Sequence, residues 1–228
     1  AERLQTAVGL QAFCDVLTQQ VREMTGLDRV MVYKFHPDLH GEVIAEASRE
    51  DLPSWLGLHY PADDIPLPAR EIFKRVWVRP VPDVSGALAE MVPLVHPDTG
   101  VPVEMTHCGL RGPSVMYTEY LRNMGVTACL TMPIRSDAEL WGLIACHHYA
   151  GEKALSFQQR TACELIAQVA SVQFRDAEKR EQLQSEVERE RVSQTLLARA
   201  AGSGSLASVV RGEISLKDVL PCSGAALW

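Results

Sequence analysis

The sequence lacks the long apolar run that a membrane span needs. No stretch reaches the roughly 18 consecutive apolar residues of a transmembrane helix, and the first residues alternate in polarity, unlike a signal peptide. The six cysteines are scattered and include no CxxC pair. Scattered cysteines are typical of free thiols in a reducing compartment. We therefore predict a cytoplasmic protein that does not cross a membrane.

Positive charge and catalytic motifs are also scarce. The 228 residues include 22 Lys and Arg against 29 Asp and Glu, which gives a net charge of −7. An acidic chain repels phosphate backbones, so we predict no nucleic-acid partner. The sequence contains no glycine-rich phosphate loop, no GxSxG and no HExxH. We do not expect this chain to be an enzyme by itself.

The hydrophobic patterns predict an α+β domain with one central antiparallel sheet flanked by helices. Helical periodicity covers 3–25, 64–77 and 119–124, and alternating patterns cover 29–35, 42–48, 127–134 and 140–148. The stretch 80–106 contains five prolines and little periodicity. A loop of that length inside a compact domain is usually functional.

The last third of the sequence predicts a long connector helix. Residues 156–201 contain neither Gly nor Pro, and about 45 residues at ~1.5 Å each would span roughly 68 Å. An apolar stripe along this stretch predicts pairing with a second helix in a homodimer, although a solvated charged helix would also fit. We divide the chain into a domain over 1–155, a signalling helix over 156–201, and a linker with a further domain's start over 202–228.

Several residues could carry binding chemistry. Arg79 and Arg111 could clamp a ligand with two carboxylates, or they could be ordinary surface arginines. Asp63 and Asp64 could cap the helix predicted over 64–77, which would leave one carboxylate free. We predict no metal site, because the neighbours in Cys146-His147-His148 and in His107-Cys108 would point to opposite faces of a strand.

Five segments together resemble the GAF chromophore-binding domain of bacterial phytochromes, over about residues 5–175. They are RVMVYKF (29–35), GEVIAE (41–46), YPADDIP (60–66), YLRNMGV (120–126) and LWGLIACHH (140–148). The resemblance continues through the long helix into the start of a PHY domain. It implies a photosensory module that binds a linear tetrapyrrole and relays its photoisomerisation to an output domain such as a histidine kinase. It also implies an upstream PAS domain, whose segment would thread the 80–106 loop.

The resemblance assigns roles to residues of this sequence. Asp64 would contact the pyrrole region of the pigment, Arg79 and Arg111 its propionates, and His147 the carbonyl of its ring D. Tyr33, Tyr60, Phe73 and Tyr120 would surround ring D, and Ser114 and Thr131 would be small polar pocket positions. The full set of implied pigment-binding residues is Met31, Tyr33, Tyr60, Asp64, Ile65, Pro66, Phe73, Arg79, Arg111, Ser114, Met116, Tyr117, Tyr120, Thr131 and His147.

Two positions depart from the family pattern. Met116 replaces the cysteine that bonds the pigment in plant and cyanobacterial phytochromes, so no residue of this chain is expected to attach it covalently. The bacterial attachment cysteine lies upstream of the PAS domain, outside this sequence. Tyr117 replaces a histidine, and a tyrosine hydroxyl with a pKa near 10 does not exchange protons at neutral pH as imidazole does.

These observations leave three functional hypotheses. The first is a photosensory module that binds biliverdin, the bilin expected when the GAF cysteine is absent. The second is a degenerate receptor that signals without bilin, through dimerisation or through redox chemistry at thiols such as Cys14 or Cys129. The third is a GAF domain for another small ligand, such as a cyclic nucleotide, since fold alone does not fix function.

Overall fold

A six-stranded antiparallel sheet forms the centre of the fold in the computed structural model, which describes residues 9–109, 111–137, 139–203, 206–210 and 214–219. The strand order is β3-β2-β1-β6-β5-β4. The strands are β1 Arg29–Phe35, β2 Gly41–Ser48, β3 His59–Tyr60, β4 Arg79–Val81, β5 Ala128–Ser136 and β6 Glu139–His148. The α-helices are α1 Leu10–Thr25, α2 Leu67–Phe73, α3 Val115–Asn123 and α4 Phe157–Ser203. The predicted α+β class is confirmed.

One face of the sheet packs against helices to form the main core. Alternate residues of β1, β5 and β6, such as Val32, Met132 and Ile144, are fully buried there. Helix α1 covers them with an apolar stripe that includes Leu17. It ends at Gly26, whose left-handed backbone (φ 66°) is a conformation that glycine adopts without strain. Residues 3–8 of the predicted helix lie outside the described residues.

Helix α4 begins as a core element. Cys163, Ala167 and Phe174 are buried against the sheet and α1. The chain divides into two compact units, 1–175 and 176–228, so the helix contributes to both. In the first unit Leu165 and Val169 remain exposed.

The second compact unit has a small core of its own. Val192 and Leu196 of α4 are buried against Val209. Short 3₁₀ turns at Leu206–Val210 and Leu216–Asp218 follow the helix. Residues 220–228, in the predicted start of a further domain, lie outside the described residues.

The structure corrects the prediction of a helix over 64–77. Residues Ala62–Asp64 form a 3₁₀ turn, and α2 begins only at Leu67, with Pro66 as its N-cap. The residue before a proline favours an extended backbone, and Ile65 has φ −125° and ψ 85°. No side chain among the described residues caps α2, so the capping role proposed for Asp63 or Asp64 is wrong.

Helix α3 is longer than predicted. It begins at Val115 rather than 119, because the Ser114 hydroxyl accepts a hydrogen bond from the Tyr117 N–H and caps the first turn. It ends before Gly125, which has φ 71°. The pair Met116-Tyr117 therefore lies on a helix rather than in a loop.

The proline-rich stretch before α3 contains no helix in the residues described. After β4 the chain makes an isolated β-bridge between Val95 and Pro102, and the other described residues before Ser114 have irregular structure. The predicted long excursion is confirmed over the described part of 80–106. Among the described helices, none combines the length and the apolar character that crossing a membrane requires.

Candidate functional site

The second face of the sheet carries several predicted pocket residues in register. Thr131 on β5 pairs with Arg79 on β4 and with Ala145 on β6, which in turn pairs with Met31 on β1. Residues directly opposite each other project from the same face. His147, two residues from Ala145 along β6, projects from that face as well. The strand register thus brings together side chains that lie far apart in the sequence.

An apolar cluster occupies the β1 end of this face. Met31, Tyr33 and Phe73 are buried there, and Tyr60 and Ile65 pack against them. The rings of Tyr33 and Tyr60 have their centroids 5.9 Å apart. Five residues that the resemblance assigned to the pocket therefore form one continuous surface.

Asp64 lies among three tyrosines beside this cluster. Burial is the main cause that raises the pKa of Tyr33 to about 12 and raises the pKa of Tyr60 and Tyr120. The negative charge of Asp64 adds to the rise at all three hydroxyls. Asp64 is partly buried and forms no ion pair within the described part of the chain. Its carboxylate can therefore accept a hydrogen bond from a donor group of a ligand.

Two guanidinium groups without carboxylate partners lie at the β4 end of the face. Burial, together with the positive charge of Arg111, lowers the pKa of Arg79. Neither arginine forms an ion pair with any residue that the structure describes, and the buried Nη2 of Arg111 has no hydrogen-bond partner there. Both line a cavity of about 420 Å³, whose wall also includes Glu164 of α4 and none of the other assigned pocket residues. Two neighbouring cations without a counterion are costly unless an anion joins them.

The hydroxyl of Tyr117 points at the middle of the same face. It lies 3.2 Å from Oγ1 of Thr131 and 3.4 Å from Sγ of Cys129. Burial, reinforced by Cys129, raises the pKa of Tyr117 well above 10, so this hydroxyl is neutral at physiological pH. The structure thus supports the prediction that Tyr117 does not exchange protons near neutral pH.

Three residues that the resemblance assigned to the pigment pocket are exposed instead of buried. Ser114 is exposed and its hydroxyl caps α3, so it is not placed as a buried polar pocket position. Met116 is 70% exposed, and Pro66 is exposed at the start of α2. None of these three side chains is buried in the face that carries Thr131 and His147.

His147 is a buried titratable group of this face. Burial, aided by the positive charge of Arg29, lowers the pKa of His147 from 6.5 to about 3. The imidazole is therefore neutral at physiological pH, with one nitrogen as donor and one as acceptor. Its buried Nδ1 has no hydrogen-bond partner among the described residues. A buried polar atom without a partner is rare in native proteins, so this nitrogen is a candidate group for hydrogen bonding to a ligand.

Arg29, the charged residue beside His147 that helps to lower its pKa, was not identified from the sequence. Arg29 is 1% exposed, forms an ion pair with Glu46 and donates a 2.7 Å hydrogen bond to the Pro53 carbonyl. Its guanidinium lies 3.9 Å from the centroid of the Trp55 ring, and that ring meets His147 edge-on at 5.7 Å. The sequence does contain an indication of this ion pair. Arg29 and Glu46 lie within apolar strands, where an unpaired charge would be destabilising.

Comparison with known proteins identifies the fold. Residues 9–173 match the model of the GAF domain family. The chain is similar to the chromophore-binding domain of a bacteriophytochrome from R. palustris, with a TM-score of 0.76 and 39% identity over 79% of this chain and 59% of that one. It is also similar to the photosensory core module of the Stigmatella aurantiaca phytochrome, with a TM-score of 0.80 and 33% identity over 96% of this chain and 43% of that one.

Sequence relatives agree with this assignment. A phytochrome-like protein of Synechocystis sp. is 46% identical over 73% of this chain and 22% of its own length. Cyanobacterial phytochrome A of Nostoc sp. is 37% identical over 99% of this chain and 29% of its own length. The chain therefore spans less than a third of the length of these relatives. It belongs to the GAF domain family, and its relatives within that family are phytochromes.

Proposed function

We propose that this chain binds a linear tetrapyrrole, most specifically biliverdin, and serves as the photosensory domain of a phytochrome. The observation that carries the proposal is the pair Arg79 and Arg111. The positive charge of Arg111 acts on Arg79, and neither arginine forms an ion pair with a carboxylate of the described residues. A ligand with two carboxylates would offset both charges through bidentate hydrogen bonds.

The other polar groups of the face complement a bilin in the same way. The carboxylate of Asp64 would accept hydrogen bonds from pyrrole N–H groups. The neutral imidazole of His147 would donate to a terminal carbonyl, which would give its buried ring a partner. Tyr33, Tyr60 and Phe73 would pack against the ring at the β1 end. Because Met116 has no thiol, we propose that this chain holds the pigment without a covalent bond.

When bound, the pigment would supply absorption of red light and isomerisation of a double bond. The residues around it would then have to change their contacts. Asp64 is the candidate relay, because its 3₁₀ turn is linked to α2 through Arg70, which donates to the carbonyls of Ala62 and Ile65 at 3.0 and 2.6 Å. We propose that the signal passes to a PHY domain and an output domain such as a histidine kinase. Upstream, a PAS domain would contribute to the pocket.

We further propose a homodimer through α4. In the first compact unit Leu165, Val169 and Val172 are exposed at helical spacing, and in the second Leu183 and Val187 are exposed four residues apart. Exposed apolar residues at such spacing are typical of a helix–helix interface. Replacement of Val187 by Glu is expected to weaken the dimer, measured as mass by light scattering, whereas an unchanged mass distribution would argue against this interface.

The second hypothesis, a receptor that signals without bilin, has less support where it depends on redox chemistry at thiols. Burial raises the pKa of Cys14 to about 12 and that of Cys129 to about 11. Both thiols are therefore protonated at physiological pH, and the thiol form is the unreactive one. The sensors suggested for that alternative are inert in this structure.

Biliverdin addition tests the proposal. Purified protein is mixed with biliverdin, and absorbance is recorded before and after denaturation. We expect a saturable, protein-dependent visible band that arises from one pigment per chain and disappears on denaturation. The doubly substituted variant Arg79→Gln/Arg111→Gln is expected to lose most of the binding. A protein that stays colourless would refute the proposal and favour a bilin-independent module; a cyclic nucleotide that stabilised the fold instead would favour the third hypothesis.

A further inference from the structure

Three histidines meet at the edge of the sheet, away from the arginines and His147 of the pocket. His36 and His40 flank the turn between β1 and β2, and His59 lies on β3. One ring nitrogen of each lies within 4.8 Å of the other two. Nδ1 of His59 and Nε2 of His40 are only 3.0 Å apart. We propose that these imidazoles form a binding site for a divalent transition metal ion such as Zn²⁺.

The backbone holds the three residues in place before any ion arrives. The His36 N–H donates to the His40 carbonyl at 2.9 Å, and the Leu39 N–H donates to the His36 carbonyl at 2.8 Å, which closes the turn. On the other side, β3 pairs with β2 so that His59 lies opposite Glu42. The site is therefore built on a hairpin turn and a strand pair, and both are fixed by hydrogen bonds.

Nearby carboxylates orient the imidazoles as they do around known metal ions. Oδ1 of Asp38 lies 2.5 Å from Nδ1 of His40, so that nitrogen carries the proton and Nε2 is the acceptor that faces His59. Oε2 of Glu42 lies 2.8 Å from Nε2 of His36. Metal-binding histidines usually donate their second ring N–H to a carboxylate in this way.

The geometry requires a small rearrangement. Nitrogens around a tetrahedral Zn²⁺ at about 2.0 to 2.1 Å lie roughly 3.3 Å apart, close to the separation between His40 and His59. The hydrogen-bond proton between these two nitrogens would leave when the ion enters. The rings of His36 and His40 are stacked, with 4.3 Å between centroids and 3° between planes, so the His36 ring must turn to share the ion.

The exposure of the site permits both this motion and access from solvent. The side chains of His36, His40 and His59 are 25%, 31% and 56% exposed. Imidazole suits Zn²⁺, Ni²⁺ and Cu²⁺, whereas Mg²⁺ and Ca²⁺ prefer oxygen. Oε1 of Glu42 lies 4.0 Å from Nε2 of His59, the ring nitrogen that faces away from His40, so Glu42 is an outer partner and water would occupy the fourth position.

The site is linked to the turn that presents Asp64. Nη2 of Arg70 donates a 2.7 Å hydrogen bond to the carbonyl of Leu39, inside the histidine turn, and Arg70 also holds the carbonyls of Ala62 and Ile65. A bound ion would stiffen the hairpin turn to which Arg70 is tied. The metal site itself does not depend on bilin binding.

Calorimetric titration of Zn²⁺ into the untagged, metal-free protein tests the inference. We expect one ion per chain. Replacing His59 or His40 by Gln is expected to abolish binding or weaken it at least tenfold, and Asp38→Asn is expected to weaken it roughly 10- to 100-fold as an outer partner. His96→Gln, in a separate loop, is the control and is expected to bind as the unaltered protein does.

A thermal-shift measurement on the same variants gives a second readout. Zn²⁺ at 100 times its dissociation constant is expected to raise the melting temperature by about 5 °C or more, and His59→Gln is expected to remove the rise. Circular dichroism confirms that the variants are folded. The inference would be overturned if Zn²⁺ showed no saturable binding. It would also be overturned if His59→Gln and His40→Gln bound Zn²⁺ as the unaltered protein does, or if His96→Gln lost the binding.

Discussion

Acid sensitivity of the fold is expected to come in large part from His147. Its pKa is about 3 in the folded protein, because it is buried beside Arg29, and 6.5 when it is solvated. The unfolded state therefore takes up a proton first as pH falls, so stability is fully present above pH 6.5 and is lost progressively down to about pH 3. At 1.36 kcal/mol per pKa unit the total loss is about 5 kcal/mol, of which about 2 kcal/mol falls between pH 7 and pH 5.

The assay compares the free energy of unfolding in urea at pH 7 and pH 5. The substitution His147→Gln keeps a polar side chain but removes the titration, so the variant is expected to lose about 2 kcal/mol less than the unaltered protein over this interval. Groups elsewhere cancel in the difference between the two proteins. The variant His96→Gln controls for removal of an exposed histidine. If His147→Gln and the unaltered protein lost equal stability, the account of a neutral buried imidazole would be wrong.

Three further predictions concern the site. Arg111→Gln is expected to weaken biliverdin binding roughly 10- to 100-fold, since a charged hydrogen bond contributes about 1.5–3 kcal/mol, without lowering the free energy of unfolding; equal losses of both would indicate a structural role instead. Gly41→Ala would place a methyl group against the Tyr33 ring and is expected to cost about 1–3 kcal/mol in urea unfolding, whereas Gly202→Ala, where the added carbon meets nothing, should cost none. Tyr117→His is expected to make the absorbance of the bilin-bound protein depend on pH near and below 6.5, the ordinary pKa of imidazole, and a pH-independent spectrum would contradict the role assigned to this hydroxyl.

Strand patterns could be predicted from the sequence because period-two alternation is a local property. The structure confirms β1 at its predicted limits, and β2, β5 and β6 within one or two residues. The short strands β3 and β4 were not predicted. Two or three residues carry no periodicity, and these strands exist only because β2 and β5 offer free edges for pairing. The late start of α2 was also missed, because Pro66 was counted within the helix instead of at its N-cap.

The candidate site could be predicted only in part. Segments such as YPADDIP identify the family, and the register of β1, β4, β5 and β6 brings Met31, Arg79, Thr131 and His147 to one face. Burial could not be inferred from residue type, so the exposed position of Met116 and the neutral state of His147 emerge only from packing. The histidine cluster was missed because the sequence does not show which strands pair. Only the pairing of β2 with β3 brings His59 back to the turn that contains His36 and His40.

The central claim is that this chain binds a bilin through two arginines that have no counterion in the described protein. The most direct test is a titration of the purified chain with biliverdin, followed by visible absorbance, with Arg79→Gln/Arg111→Gln measured in parallel and Arg180→Gln as an exposed control. We expect a saturable band from one pigment per chain in the unaltered protein and in Arg180→Gln, whereas the double variant should need at least a tenfold higher biliverdin concentration for saturation. Equal binding by the double variant, or no binding by any of the proteins, would contradict it.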